Sequence, residues 1–251
     1  MTAAMFRLMA LLLMLVWPLS VRAAATVPVT IAAAADLRGV LPVIIADFRA
    51  ATGRQVVPVF AASGSLTQQM LNGAPHQLLL AADSDYPARL VAAGKAAAPL
   101  RPYALGRLAL LARSNSGVRD LASLRAALAA GRVRHLAIAN PAVAPYGRAA
   151  RAVLDRAGLT PPLVLGENVA QAAQFVISGG AEAGIVSAAL ARDAVKQGGL
   201  VMLDLPANSH PPLVQSLVLA RGAGGDARAF AAWMAGPQAR ARLAAAGFGL
   251  P

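Results

Sequence analysis

The sequence predicts an α/β protein of two lobes, each built on a mixed, mostly parallel sheet, with a ligand cleft between the lobes. Two observations lead to this fold class. Short runs of Val, Ile and Leu alternate with segments of helical periodicity along most of the chain, a pattern typical of parallel sheets covered by helices on both faces. No low-complexity linker divides the chain, so we expect it to cross between the lobes more than once.

Residues 1–25 predict a secretory signal peptide. Arg7 precedes an apolar run over residues 8–19, and small residues surround the expected cleavage site at Ala23 or Ala25. The run is shorter than the roughly 20 apolar residues that span a membrane. The chain also has no cysteine that could carry a lipid. We therefore expect an exported, unanchored protein, located in a periplasm.

The elements that follow are read from periodicity. Alternating Val27, Val29 and Ile31 begin the first strand, and apolar residues at helical spacing predict a helix over residues 36–52 that ends at Gly53. Further strands are predicted over residues 56–60, 78–80, 108–112, 136–139, 185–186 and 200–203. Further helices are predicted over residues 63–72, 121–130, 147–157 and 169–177.

The C-terminal part departs from this alternation. Residues 213–220 predict a strand, and two helices follow, the first marked by Trp233 and the second running from Pro237 to Gly247. We expect this part to return to the first lobe. The lobes are then residues 26–104 plus 208–251 and residues 105–207.

Composition narrows the function classes. The formal net charge is +12, but the basic residues are scattered singly, whereas nucleic-acid-binding proteins concentrate them in a patch. We therefore predict no nucleic-acid partner. The absence of cysteine excludes disulfides and cysteine-ligated metals.

Small and hydroxyl residues occupy four predicted strand-to-helix junctions. Ligands of open α/β sheets bind beyond the carboxyl ends of the strands, where the N–H groups at helix starts favour an anion. Each junction alone is a weak signal, but together they predict an anion site in the cleft. The junctions are residues 33–37, 62–66, 140–147 and 166–169.

The order and spacing of these motifs resemble the molybdate-binding protein family of periplasmic solute receptors. The resemblance covers essentially the whole chain after the signal peptide. It is carried by Ala33-Ala34-Ala35-Asp36-Leu37, Phe60-Ala61-Ala62-Ser63-Gly64-Ser65-Leu66, Gly73-Ala74-Pro75, Ala144-Pro145-Tyr146-Gly147, Gly166-Glu167-Asn168-Val169 and Gly247-Phe248-Gly249-Leu250.

The resemblance implies a type II-like periplasmic binding protein that captures molybdate or tungstate. It further implies a monomer that needs no cofactor and delivers its ligand to the permease of a molybdate-type ABC importer. The metal is bound as an oxyanion, without direct cation ligands. The family's ligand positions fall on Asp36, Ser63, Tyr146, Val169 and Ser187.

Two of these positions depart from the family pattern. Asp36 replaces a hydroxyl with a carboxylate, and Ser187 is shorter than the tyrosine of the best-known members. A carboxylate beside a dianion is repelled by about 4 kcal/mol per charge pair at 4 Å and an effective dielectric constant of 20. We expect Asp36 to avoid this by capping its own helix. Neutralisation by Arg38 is the alternative.

The sequence is also compatible with other ligands and other classes of protein. The ligand could be another anion, such as sulfate, phosphate or a small carboxylate, or ferric iron held by Tyr103, Tyr146 and His210. The chain could also be a sensory input subunit or a secreted enzyme. We predict that it is not an enzyme, because Ser63 lies outside a G-x-S-x-G elbow and the histidines lack metal-ligand spacing.

Overall fold

A computed structural model describes residues 28–251, and its strands form two separate five-stranded sheets. The predicted signal peptide lies outside these residues. The strands of the first sheet are β1 (Val29–Ala34), β2 (Val56–Ala61), β3 (Leu78–Ala81), β4 (Ala96–Gly106) and β10 (Leu213–Ala220). Their order across the sheet is β2–β1–β3–β10–β4.

The second sheet is formed by the strands in between, which are β5 (Leu108–Arg113), β6 (Leu136–Ala139), β7 (Leu163–Gly166), β8 (Ala183–Ser187) and β9 (Leu200–Asp204). Their order across the sheet is β7–β6–β8–β5–β9. In each sheet three strands pair in parallel, while one strand pairs antiparallel with both of its neighbours: β10 in the first sheet and β5 in the second.

Helices connect and cover the strands of both sheets. Three short 3₁₀ turns accompany them, at Ala35–Arg38, Ser114–Ser116 and Ala207–Ser209. Among residues 28–251, no helix has the length and apolar character needed to cross a membrane. The helices are α1 (Leu41–Thr52), α2 (Ser63–Leu71), α3 (Asp85–Ala92), α4 (Leu121–Ala129), α5 (Pro145–Arg156), α6 (Val169–Ser178), α7 (Ala188–Val195), α8 (Gly225–Trp233) and α9 (Pro237–Ala245).

Each sheet and its helices form one lobe, and the chain crosses between the lobes twice. The first crossing joins β4 to β5 through Arg107 alone, and the second joins β9 to β10 through residues 205–212. The C-terminal helices α8 and α9 pack on the first lobe. The predicted α/β fold with two lobes and mixed sheets is confirmed.

Two differences from the predicted elements have simple causes. The helix predicted over residues 36–52 is split into a 3₁₀ turn and α1, because Pro42 lacks the N–H that a continuous helix would need there. Strand β4 was not predicted. It contains Pro99 and Pro102 and lies at the edge of its sheet, where proline is tolerated.

The two lobes bury different side chains. Alanine is the commonest residue in the core that contains the second lobe, together with Leu, Val and Ile, whereas a cluster of aromatic rings packs in the first lobe. The rings of Phe48 and Phe230 meet edge to face at 5.1 Å. The ring of Trp233 also packs edge to face against Phe48, at 5.8 Å.

Candidate functional site

The four predicted junctions converge on one small cavity between the lobes. The volume of the cavity is about 10 Å³, near the smallest volume that admits a water molecule. Its walls belong to the starts of α2, α5 and α6 and to the 3₁₀ turn after β1. The lining residues are Ala34, Ala35, Asp36, Ala61, Ala62, Ser63, Ala82, Ala144, Pro145, Tyr146, Asn168 and Val169.

Ser63 presents a hydroxyl to this cavity from the first turn of α2. Its side chain is buried, and its Oγ accepts a hydrogen bond of 2.9 Å from the N–H of Ala82. A hydroxyl that accepts one bond still has its own proton to donate. Ser63 is therefore held in place by the backbone of the first lobe while its O–H remains available for a ligand.

The second lobe contributes helix starts. Pro145 occupies the first turn of α5 and precedes Tyr146, and Val169 is the first residue of α6. The first N–H groups of a helix have no partner within it. The Asn168 side chain accepts hydrogen bonds from the N–H groups of Ala170 and Gln171, so it caps α6 without occupying the N–H of Val169.

Asp36 lies on the cavity wall, and the prediction that it caps a helix is wrong. It is inside the 3₁₀ turn, which has Ala34 at its N-cap position and no side-chain cap. The alternative also fails, because the Arg38 guanidinium stacks on the ring of Phe60. Instead, Oδ2 of Asp36 accepts a hydrogen bond from Nε2 of Gln215.

The other carboxyl oxygen of Asp36, Oδ1, is buried without a hydrogen-bond partner among residues 28–251. Burial raises the pKa of Asp36 to about 6, although hydrogen bonds from Gln215 and Tyr146 act in the opposite direction. Burial and the Asp36 charge also raise the pKa of Tyr146, whose hydroxyl accepts a 3.1 Å hydrogen bond from Gln215 Nε2.

Contacts across the cleft hold the lobes together. The N–H of Gly64 donates a 2.9 Å hydrogen bond to the carbonyl of Val143 in the opposite lobe. A Cβ at Gly64 would stand 2.7 Å from both the Val143 carbonyl and the Tyr86 hydroxyl, so this approach requires glycine. Beside it, Arg148 forms a salt bridge with Asp83.

A larger cavity of about 380 Å³ adjoins the salt bridge between Asp83 and Arg148. Its walls include Asp85 as well as the paired Asp83 and Arg148, and the carboxylate of Asp85, which is unpaired among residues 28–251, disfavours an anionic ligand. The smaller cavity, which is surrounded by helix starts, is therefore the better candidate for an anion.

Comparison with known proteins agrees with this geometry. The family model described as bacterial extracellular solute-binding protein matches residues 29–249. The chain belongs to this family. The predicted resemblance to molybdate-binding proteins is also confirmed, because curated proteins of that name align with most of this chain at more than 30% sequence identity.

Two curated relatives and one solved structure illustrate the match. The chain is 35% identical to the molybdate-binding protein ModA of Azotobacter vinelandii, over 91% of this chain and 92% of that one. It is 34% identical to ModA of Rhodobacter capsulatus, over 72% and 71%. The structure of the periplasmic molybdate-binding protein of Azotobacter vinelandii superposes with a TM-score of 0.80 at 33% identity, covering 89% and 99%.

Within this solute-binding protein, Ser187 does not join the other candidate residues. It is fully buried and is absent from the cavity wall. Its Oγ instead accepts a hydrogen bond from the N–H of Leu190 and caps α7. The structure thus groups Asp36, Ser63, Tyr146 and Val169, and separates Ser187 from them.

The three residues considered for ferric iron do not all meet in this solute-binding protein. Tyr103 and Tyr146 both lie beside Asp36, with the Tyr103 hydroxyl donating to the carbonyl of Ala81, but His210 lines a different cavity. Among residues 28–251, no group of three or more His, Cys, Asp and Glu side chains could hold a metal ion.

Gln215 of β10, which donates a hydrogen bond to Asp36, was not among the residues predicted for the site. Gln215 is fully buried in a strand of otherwise apolar and small residues. A lone amide in a buried strand needs a partner. That mismatch was the available signal.

Proposed function

We propose that the protein is a periplasmic receptor that captures molybdate or tungstate and delivers it to an ABC importer. The observation that carries the proposal is the convergence of helix starts from both lobes on one small cavity, in a chain 35% identical to a molybdate-binding protein. A ring of neutral donors at positive helix ends suits a compact dianion.

Three donors are proposed to bind the oxyanion. They are the hydroxyl of Ser63 in the first lobe and the N–H groups of Tyr146 and Val169 in the second. Because hydrogen bonds to charged groups contribute about 1.5–3 kcal/mol each, three such bonds support capture without a buried arginine. Neutral donors also release the ligand more readily than a fixed positive charge would.

Size is the proposed basis of selectivity. Molybdate and tungstate have longer metal–oxygen bonds than the sulfur–oxygen bonds of sulfate. Donors on two facing lobes set a distance that the ligand must span. We expect sulfate to leave at least one donor out of reach, which costs the desolvation of an unpaired group.

We propose that the protein delivers its ligand to the importer in a form in which the two lobes are closed on each other. The hydrogen bond from Gly64 to Val143 and the salt bridge between Asp83 and Arg148 join the two lobes across the cleft. A ligand that bonds to both lobes stabilises the closed form relative to an open one. The permease of the importer would then recognise the closed monomer.

A thermal-shift panel tests the proposed ligand. The mature protein is heated with molybdate, tungstate, sulfate or phosphate, and the melting temperatures are compared. A ligand present at about 100 times its Kd adds about 2.7 kcal/mol of stability. Large shifts with molybdate and tungstate and a small shift with sulfate are expected. Equal stabilisation by sulfate would contradict the assignment.

A second candidate ligand is hydrogen phosphate, and the unpaired Oδ1 of Asp36 favours it. An ionised carboxylate accepts a hydrogen bond, and hydrogen phosphate carries a proton to donate, whereas molybdate and sulfate at neutral pH do not. Stronger stabilisation by phosphate than by molybdate at neutral pH would establish this ligand instead.

A further inference from the structure

Asp36 poses a charge problem in the proposed oxyanion site. Its side chain is 1% exposed and lines the cavity together with the donors Ser63, Tyr146 and Val169. A carboxylate there would repel a dianion by several kcal/mol. The binding site must remove this repulsion, or the carboxyl group must not be charged when the ligand is bound.

The hydrogen bonds around Asp36 distinguish its two oxygen atoms. Oδ2 accepts from the amide of Gln215, which also donates to the Tyr146 hydroxyl at 3.1 Å. Oδ1 has no partner among the described residues. A proton on the carboxyl group therefore belongs on Oδ1, which is the oxygen left for the ligand.

We propose that Asp36 binds the oxyanion as a neutral acid, with Oδ1 donating its proton to a ligand oxygen and Oδ2 held by Gln215. This inference rests on the proposed function. Binding of a dianion that carries no proton then takes up one proton from solution whenever Asp36 is ionised in the free protein.

No positively charged side chain among the described residues pairs with Asp36, and burial outweighs the hydrogen bonds from Gln215, Tyr146 and the backbone that favour its charged form. Tyr103 and Tyr146 face it with hydroxyl groups, and the nearby Asp83 is paired with Arg148. Helix α6, which packs against the 3₁₀ turn, carries no charged residue. The charged residues of α1 and α7, the other helices that pack there, are at the surface: Asp47, Arg49, Arg192 and Asp193.

The same carboxyl group sets a preference among anions. As a neutral acid it donates to molybdate, and as an ion it accepts only from a ligand that brings its own proton. Burial favours the neutral form, since the pKa of Asp36 is raised to about 6. Molybdate affinity should therefore depend on pH through this one residue.

The test measures molybdate affinity by calorimetry between about pH 5.5 and pH 8.5, for the wild-type protein and Asp36→Asn. Wild-type affinity should fall about tenfold per pH unit once Asp36 is ionised, with uptake of about one proton measured from buffers of different ionisation enthalpy. Asp36→Asn offers a fixed N–H donor of the same shape, so its affinity should not change with pH.

Asp226→Asn is the matched control, because it removes a carboxylate that is 41% exposed and paired with Arg54 on the surface. It should keep the wild-type pH dependence. A wild-type affinity that does not change with pH overturns the inference. So does complete loss of binding in a folded Asp36→Asn, which would mean that the carboxylate contacts the metal. If the wild-type protein binds no molybdate even at the lowest pH, the proposed function fails and takes the inference with it.

Discussion

In the first lobe, the groups that face the cavity include the side chains of Asp36 and Ser63, whereas the second lobe faces it mainly with the starts of α5 and α6. Side chains can be exchanged by single substitutions, but N–H groups persist under almost any substitution. The first lobe is therefore where ligand preference can change, and the second supplies a constant framework for an anion.

The largest expected effect is on stability, from Asp36→Asn. The folded-state pKa of about 6 lies above the ordinary 3.8, so the native protein holds this proton more tightly than the unfolded chain. The contribution of this proton to the free energy of unfolding is fully present below about pH 4 and is lost as the pH rises through 6. Above pH 6 the buried charge costs about 3 kcal/mol.

Urea unfolding measures this effect. Asp36→Asn should raise the free energy of unfolding by up to about 3 kcal/mol near pH 7.5 and should change it little near pH 4. An equal gain at both pH values would mean that the benefit comes from packing and not from the removed charge.

Ser63→Ala should have the next largest effect, on affinity. Loss of one hydrogen bond to a charged ligand weakens binding by about 1.5–3 kcal/mol. The N–H of Ala82 also loses its acceptor, so the free protein should lose about 1 kcal/mol of stability. Ser65→Ala, two residues along the same helix and away from the cavity wall, is the control for titration calorimetry.

Asn168→Ala probes the framework of the second lobe. It removes the cap of α6, which should lower the free energy of unfolding by about 1 kcal/mol. Affinity should fall less than in Ser63→Ala. Asn168→Ser, an equally good cap, should restore the stability; failure to do so would show that the amide has a role other than capping.

The smallest effect on affinity is expected from Val169→Ala. The substitution removes buried methyl groups, which should cost about 1–2 kcal/mol of stability, but it leaves the backbone N–H in place. Affinity measured well below the melting temperature should match the wild type. A loss as large as that of Ser63→Ala would refute the division between the lobes.

Local signals sufficed to predict much of this site. Small and hydroxyl residues at the ends of strands act within a few residues of their own position. For that reason, the sequence predicted the junctions, and four of the five residues that the resemblance nominated now line one cavity. The helix start at Pro145 and the cap at Asn168 are also local, but they were not predicted, and the first of these helices was predicted to begin at residue 147.

Contacts distant in sequence could not be predicted in the same way. Asp36 and Gln215 are 179 residues apart, and no local pattern relates a turn after β1 to a residue of β10. Tertiary contacts also decided which of two candidate residues caps a helix. Asp36 was predicted to cap a helix and does not, whereas Ser187 was predicted to bind the ligand and caps α7 instead. Asp36 turned to the cleft, because Pro42 fixes the helix start later, while Ser187 caps the helix that it directly precedes.

Trp233 has a practical consequence for spectroscopy. It is the single tryptophan between residues 28 and 251, and it packs against Phe48 in the core of the first lobe and not on the cavity wall. Its fluorescence should follow melting of the first lobe and should respond little to closure. A reporter dye on a cysteine introduced at the cleft rim of this cysteine-free chain would then record ligand capture separately from unfolding.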